Sequence, residues 1–207
     1  MIYDNVTFNK CQIKDIPVIF KIASKAFPET FSSILDHEQM DYMMDMMYEN
    51  EVLIRDIGNG DQNYFLMYVN GDPCGYISIT TPDRFIRERI ELCHKKNGSP
   101  ANMQVIKDCK KPVYLLHKVY LLPEKKGCGL GRCLFEYAID TVSKMSKGKP
   151  SLMILQVNRK NPAVDFYKHL GMRIIGSQDF VLDYDFEMND FVMAIDINLK
   201  KSSGGDA

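Results

Sequence analysis

A run of glycines with a cation at each end, Lys126-Gly127-Cys128-Gly129-Leu130-Gly131-Arg132, is the stretch of this sequence best suited to chemistry on a phosphate. Glycine lets backbone come close to a ligand, because no Cβ stands in the way. A β-rich segment precedes the run and a helical pattern follows it, so the glycines fall at a helix start. There the first N–H groups lack intrahelical partners, and the helix dipole presents its positive end. Together these make an anion cradle, to which Lys126 and Arg132 add charge. A nucleotide P-loop needs Gly-x-x-x-x-Gly-Lys-Ser/Thr, but here Cys133 follows Arg132. A dinucleotide site needs Gly-x-Gly-x-x-Gly and an acid near the end of the next strand. The spacing here is Gly-x-Gly-x-Gly, and that strand ends in Gln156-Val157-Asn158. A tight, glycine-rich strand-to-helix connection without any ligand is the plain alternative.

Other chemistries find less support. The six cysteines, at 11, 74, 93, 109, 128 and 133, form no Cys-x-x-Cys pair, and no metal-ligand spacing is present, so no metal is expected. Met1 to Lys10 carries an acid and no apolar stretch of a leader peptide, so reduced thiols and a cytoplasmic location are the expectation. The 26 Lys+Arg against 27 Asp+Glu give a net charge of −1. No strong field therefore recommends nucleic acid or an anionic membrane as a partner. No apolar run approaches the roughly 18 residues of a membrane-spanning helix.

The elements that must position the glycine run follow from periodicity and punctuation. Val6 to Cys11 reads as a first strand. Asp15 caps a helix through about Ala26, which Pro28 closes. His37 to Tyr48 reads as a second helix, rich in methionine at 40, 43, 44, 46 and 47. That surface is either a core stripe or the adaptable wall of a groove, since methionine repacks readily. Tyr64 to Val69 and Gly75 to Thr80 are strands joined by a hairpin turn at Asn70-Gly71-Asp72. Between Pro82 and Pro112 lies a polar stretch with a helical piece, Phe85 to His94. Val113 to Leu122 is a long β-rich run. Gly129 to Lys144 is a helix with Leu130, Leu134, Ala138 and Val142 spaced by four. Leu152 to Val157 is a central strand. Asn161-Pro162 opens a helix whose inner face is Ala163, Phe166, Tyr167 and Leu170, and Gly171 ends it. Met172 to Ile175 and Phe191 to Ile197 are closing strands.

With both segments in view, the chain resembles the GCN5-related N-acetyltransferase superfamily. That family's phosphate loop reads Gln/Arg-x-x-Gly-x-Gly/Ala, and Lys126-x-x-Gly129-x-Gly131 matches it with lysine in first place. Its later Asn-x-x-Ala-x-x-Phe-Tyr-x-x-x-Gly-Phe-like helix is matched by Asn161, Ala163, Phe166, Tyr167 and Gly171, with slightly different spacing and Met172 in place of Phe. The resemblance implies an α/β (α+β) fold: a central mixed, mostly antiparallel, splayed sheet of about seven strands flanked by helices. It implies one domain over 1–199, with 82–112 as an insertion before the central strand and 200–207 as a polar tail. The co-substrate implied is acetyl-CoA. Backbone at Val119, Tyr120 and Leu121 would hold its pantetheine arm. The amides of Gly127, Cys128, Gly129, Leu130, Gly131 and Arg132, with Lys126, would hold its pyrophosphate. Asn158, Asn161 and Tyr167 would add contacts.

The activity implied is N-acetylation of an amine by direct attack on the thioester, which needs no nucleophilic residue. An alkylamine resembles lysine, with a pKa of about 10.4, so having it neutral at pH 7 costs about 4.6 kcal/mol. A base or a water chain must take that proton. Some family members place a glutamate on the strand before the loop; the matching position here is His117, whose residue type titrates near neutrality. The alternative is a histidine merely facing the sheet. Tyr167 matches the family tyrosine that protonates the departing thiolate; its alternative role is core packing. Within the family, 26–31, 116–121 and 176–193 are similar to bacterial spermidine/spermine acetyltransferases. Two acidic groups, Asp36, Glu38, Asp41 and Asp45, then Asp183, Asp185, Glu187 and Asp190, would suit such a polycation or form ordinary solvated faces. The acceptor is thus a small-molecule amine or, alternatively, a peptide amine. A non-catalytic acyl-CoA-binding module is a further alternative, and a homodimer is compatible with the resemblance.

Overall fold

The alternation of Val6 and Phe8 produces β1, Val6–Lys10, which pairs antiparallel with β2, Gln62–Val69. Asn70 and Gly71, both at positive φ, turn β2 back into β3, Asp72–Thr80. The computed structural model describes residues 5–60, 62–80 and 109–197. The stretch assigned to Phe85–His94 and the tail from 200 lie outside the described residues. After them come β4, Val113–Leu121, β5, Ser151–Asn158, β6, Arg173–Val181, and β7, Glu187–Ile197. The seven strands form one sheet in the order β1-β2-β3-β4-β5-β7-β6. Every pairing is antiparallel except β4 with β5.

That parallel pair is short. Val113, Tyr114 and Leu115 face Leu152, Met153 and Ile154. Beyond them β4 runs on to Leu121 and β5 to Asn158, so the sheet splays open at its middle. The sheet is mixed and mostly antiparallel, as the family resemblance implies.

One face carries α1, Ile16–Phe31, α2, His37–Tyr48, and α3, Asn50–Gly58. Ile19, Ile22, Phe27, Met43 and Leu53 pack there against Tyr64, Leu66 and Tyr76. The other face carries α4, Leu130–Met145, whose Leu130, Leu134, Ala138 and Val142 are all buried, as their spacing requires. The last helix, α5, Ala163–His169, is short and sits against β5.

Three local expectations need correction. Pro28 lies inside α1 and does not end it. The carbonyl it leaves without a donor belongs to exposed Ser24, where water can serve it. Burial of Ala26 and Phe27, and the bond from Ser32 N–H to the Pro28 carbonyl, carry the helix through. The face of α5 is also different. Val164 and Tyr167 are buried, whereas Phe166 is about a third exposed and faces Gly131 and a cavity rather than the core. With only two turns, a helix buries one i, i+3 pair, and Phe166 lies about 100° round from Tyr167. The closing strands, finally, are longer than the short apolar runs suggested, because β6 and β7 continue as a polar hairpin through Asp183–Asp185.

Candidate active site

The splay between β4 and β5 opens into a cavity of about 830 Å³. The separated ends of both strands line it, together with the C-terminal half of α1, residues of α2, the glycine run and the start of α5. Gly129, at φ +82°, caps α4 in the left-handed conformation that favours glycine. Gly131 sits close to α5: a Cβ there would lie 3.2 Å from the Phe166 ring, which would have to give by a few tenths of an ångström. The glycine run thus joins the start of α4 to α5. No acid sits in the first turn of α4, so nothing there offsets the positive end of its dipole. Arg132 is held only loosely, 3.6 Å from exposed Glu136.

Most of the residues singled out from the sequence meet here. Val119, Tyr120, Leu121, Lys126, Gly127, Gly129, Gly131, Arg132, Asn158, Asn161, Tyr167 and His117 all line the cavity. Two do not. Leu130 is buried in the core under α4, and Cys128 turns its thiol back toward the Lys126 carbonyl. For these two only backbone N–H groups are available to a ligand. Asn158 and Asn161 spend their side-chain oxygens on the turn before α5, accepting from Lys160 and Ala163 N–H at 2.9 Å each. Asn161 therefore caps the helix, one residue earlier than its bounds imply.

His117 owes its position to an irregularity. The β3–β4 register pairs Ser78 with Lys118 but Ile79 with Leu116, so His117 is the extra residue of a β-bulge. Such a bulge re-aims a side chain. His117 is half-buried, and its Nδ1 lies 2.9 Å from Oε1 of Gln62. Ser78 donates to the same oxygen at 2.6 Å, and Gln62 Nε2 donates to Asp56 Oδ2 at 3.0 Å. The adjacent Lys118 is buried, with its Nζ 5.0 Å from the centre of the Tyr48 ring.

In the cavity lining Tyr167 is buried and flanked by the rings of Phe135 and Phe166. Burial pushes its phenol well above the usual tyrosine range. Tyr120 is shifted the same way by burial, against a hydrogen bond with Tyr48. It stacks on Tyr76, whose hydroxyl donates to Tyr48 at 2.7 Å.

The sequence of the Acetyltransferase (GNAT) family matches residues 17–172, which span both walls of this cavity. The chain belongs to the GNAT acetyltransferase family. It is an acetyl-CoA-dependent N-acetyltransferase. A similar protein, an uncharacterized N-acetyltransferase in the pepI 3′ region of Lactobacillus delbrueckii subsp. lactis, is 22% identical over 180 residues, covering 87% of this chain and 91% of that one. Two solved structures share the fold. The PaiA N-acetyltransferase of Thermoplasma acidophilum, in complex with coenzyme A, gives a TM-score of 0.59 at 19% identity, covering 92% of this chain and 98% of that one. The ribosomal-protein-S18-alanine N-acetyltransferase of Escherichia coli gives 0.59 at 16% identity, covering 96% and 98%.

The GNAT site also contains residues for which the sequence left the role open or named none. Phe166 and Met188 are cavity lining, and so are Met43 and Met47. The methionines of α2 thus divide their roles, with Met43 in core and cavity wall together. Asp190 is almost fully buried in the cavity wall, unlike the exposed acids near it in sequence. Its place on β7, opposite Asn158 of β5, separates it from them, and strand register is invisible without the fold.

Proposed function

We propose that the enzyme transfers the acetyl group of acetyl-CoA to a primary amine by direct attack, with His117 as base and Tyr167 as acid. The observation that carries this reading is that both residues line one cavity, beside a helix start whose first turn carries no acid and suits an anion. Acetyl-CoA supplies the activated acetyl group. The glycine run and α4 bind its diphosphate, and separated β4 backbone at 119–121 aligns its arm. His117 takes a proton from the acceptor ammonium, leaving the amine nitrogen its lone pair. Tyr167 hydrogen-bonds the departing sulfur and delivers a proton to it. The acceptor nitrogen gives up two protons: one restores Tyr167 after its donation to sulfur, and the other leaves for solvent through His117.

The raised pKa of Tyr167 bears on the last step. A phenol well above 10 is a weak acid toward a thiol, whose ordinary pKa is about 8.5. The sulfur, however, departs into the same dry cleft, which penalises its charge as well. Tyr167 therefore acts as a donor whose proton moves only as the nitrogen's proton replaces it.

The acceptor in this reading is a small cationic amine of the polyamine kind. The buried Asp190 carboxylate and Glu29 share the cavity lining with the two catalytic groups. Outside the cavity lining, between α2 and the β6–β7 hairpin, Tyr42 donates to Asp183 at 3.0 Å, and the rings of Tyr42, Tyr184 and Phe186 gather within 6.0 Å of one another. Aromatic faces and carboxylates both attract alkylammonium groups. Thermal stabilisation by coenzyme A, followed by thiol release with spermidine, spermine and a lysine peptide, tests this reading. Turnover of the polyamines above the peptide is expected. Stabilisation with turnover of the peptide alone would overturn the acceptor assignment, and stabilisation without any turnover would overturn the catalytic one.

A further inference from the structure

Gln62 lies outside the cavity lining, yet it holds one nitrogen of His117. Which way round its amide sits is decided by its other neighbour. Asp56, almost fully buried on α3, offers carboxylate oxygens, which only accept hydrogen bonds. The Gln62 group 3.0 Å from Asp56 Oδ2 must therefore be the NH₂. Arg55, 3.5 Å from Oδ1, supports the ionised form. With the NH₂ on Asp56, the carbonyl oxygen necessarily faces Ser78 and His117. It can accept the Ser78 hydroxyl proton and an N–H from His117, and it can offer no proton to the ring. The ring nitrogen at 2.9 Å must then be protonated Nδ1–H.

We infer that Gln62, oriented by Asp56, is a positioning residue that holds neutral His117 as the Nδ1–H tautomer and so places the lone pair on Nε2. The inference rests on the proposed role of His117 and explains how a base on β4 is prepared. A histidine in water favours the opposite tautomer, which would keep a proton on Nε2 and leave that nitrogen unable to accept one. The second hydrogen-bond partner of an imidazole commonly sets its tautomer and ring orientation. Here the partner is an amide, which fixes the orientation of the ring without itself carrying a charge. When Nε2 takes the acceptor's proton, Nδ1–H remains bonded to Gln62, and both ring nitrogens become donors in the imidazolium.

The ¹⁵N spectrum of the ring in the full-length protein, recorded where His117 is neutral and assigned by its loss in His117→Ala, tests this directly. Nδ1 protonated and Nε2 bare is expected. In Gln62→Leu the ring should move to the Nε2–H form, and kcat should fall by about tenfold or more, with the KM values little changed. That fall should vanish when Gln62→Leu is made in the His117→Ala background. Asp56→Asn, which frees the amide to turn, should shift the ring the same way with a smaller fall, and serves if Gln62→Leu does not fold. A wild-type ring protonated at Nε2 would overturn the inference, as would a Gln62→Leu loss undiminished in the double variant. If the ring is Nδ1–H but His117→Ala keeps full kcat, the tautomer assignment stands and the base assignment falls.

Discussion

Tyr167 must stay protonated to act, and its surroundings ensure that it does. Burial disfavours the phenolate, so its pKa rises and the proton stays on beyond the pH of about 10 at which an ordinary tyrosine titrates. Replacing it by phenylalanine should lower kcat on the order of 10²-fold while KM moves little, since the ring packing survives and only the donor is lost. Steady-state kinetics check this, and a wild-type kcat would sink the acid role. In the native enzyme kcat should not fall on the alkaline side up to about pH 10 on account of this group. The base has the opposite sign. It works only when neutral, so kcat/KM should climb with pH along a limb that His117→Ala removes; an unchanged profile would rule His117 out. Both residues were visible in the sequence only through a family likeness. Gln62 and Asp56 were not, because nothing in one chain says that an amide on β2 will meet a bulged histidine on β4.

The elements show why some of the site was legible and some was not. A glycine run before a helix with apolar residues every fourth position is a local signal, and α4 forms where that signal predicts. The same holds for the hairpin at Asn70-Gly71 and for the cap at Asn161. α3 has no such signature: Leu53 is its one fully buried apolar residue, and the side chain of its N-cap residue, Glu49, does not cap the helix. Pro28 misleads for a related reason, since packing of Phe27 against the sheet outweighs a local penalty. For Asn161, local and tertiary roles coincide. Its Oδ1 satisfies the Ala163 N–H at the start of the helix that carries Tyr167. Asn161→Ala should cost about 1 kcal/mol of stability, read as a lower Tm, because the orphaned N–H lies under a side chain that is itself buried. An unchanged Tm would mean that water replaces the cap.

At the scale of the whole molecule, one ion cluster ties the strands together beyond the splay. Asp196 of β7 accepts from Lys111 ahead of β4 at 2.7 Å and pairs with Arg173 of β6 at 3.0 Å. The hydrogen bond from Lys111 is the main reason its carboxyl lies below the usual range. A lowered pKa contributes stability that is present above the unfolded value of about 3.9 and is lost as pH falls through the folded one. Urea melts between about pH 4 and pH 2 should therefore show a shallower loss of stability in Asp196→Asn than in the native protein. The splay has a different consequence. Where β4 and β5 part, alternate backbone groups on each strand point at an opening, so the sheet contains two edges in its interior. Exposed edges exchange their amide hydrogens readily and invite foreign strands. Exchange at 119–121 should slow on adding coenzyme A by more than the general stabilisation accounts for. The unliganded enzyme should also be the form that aggregates on storage, with the co-substrate protecting it as a neighbouring strand would.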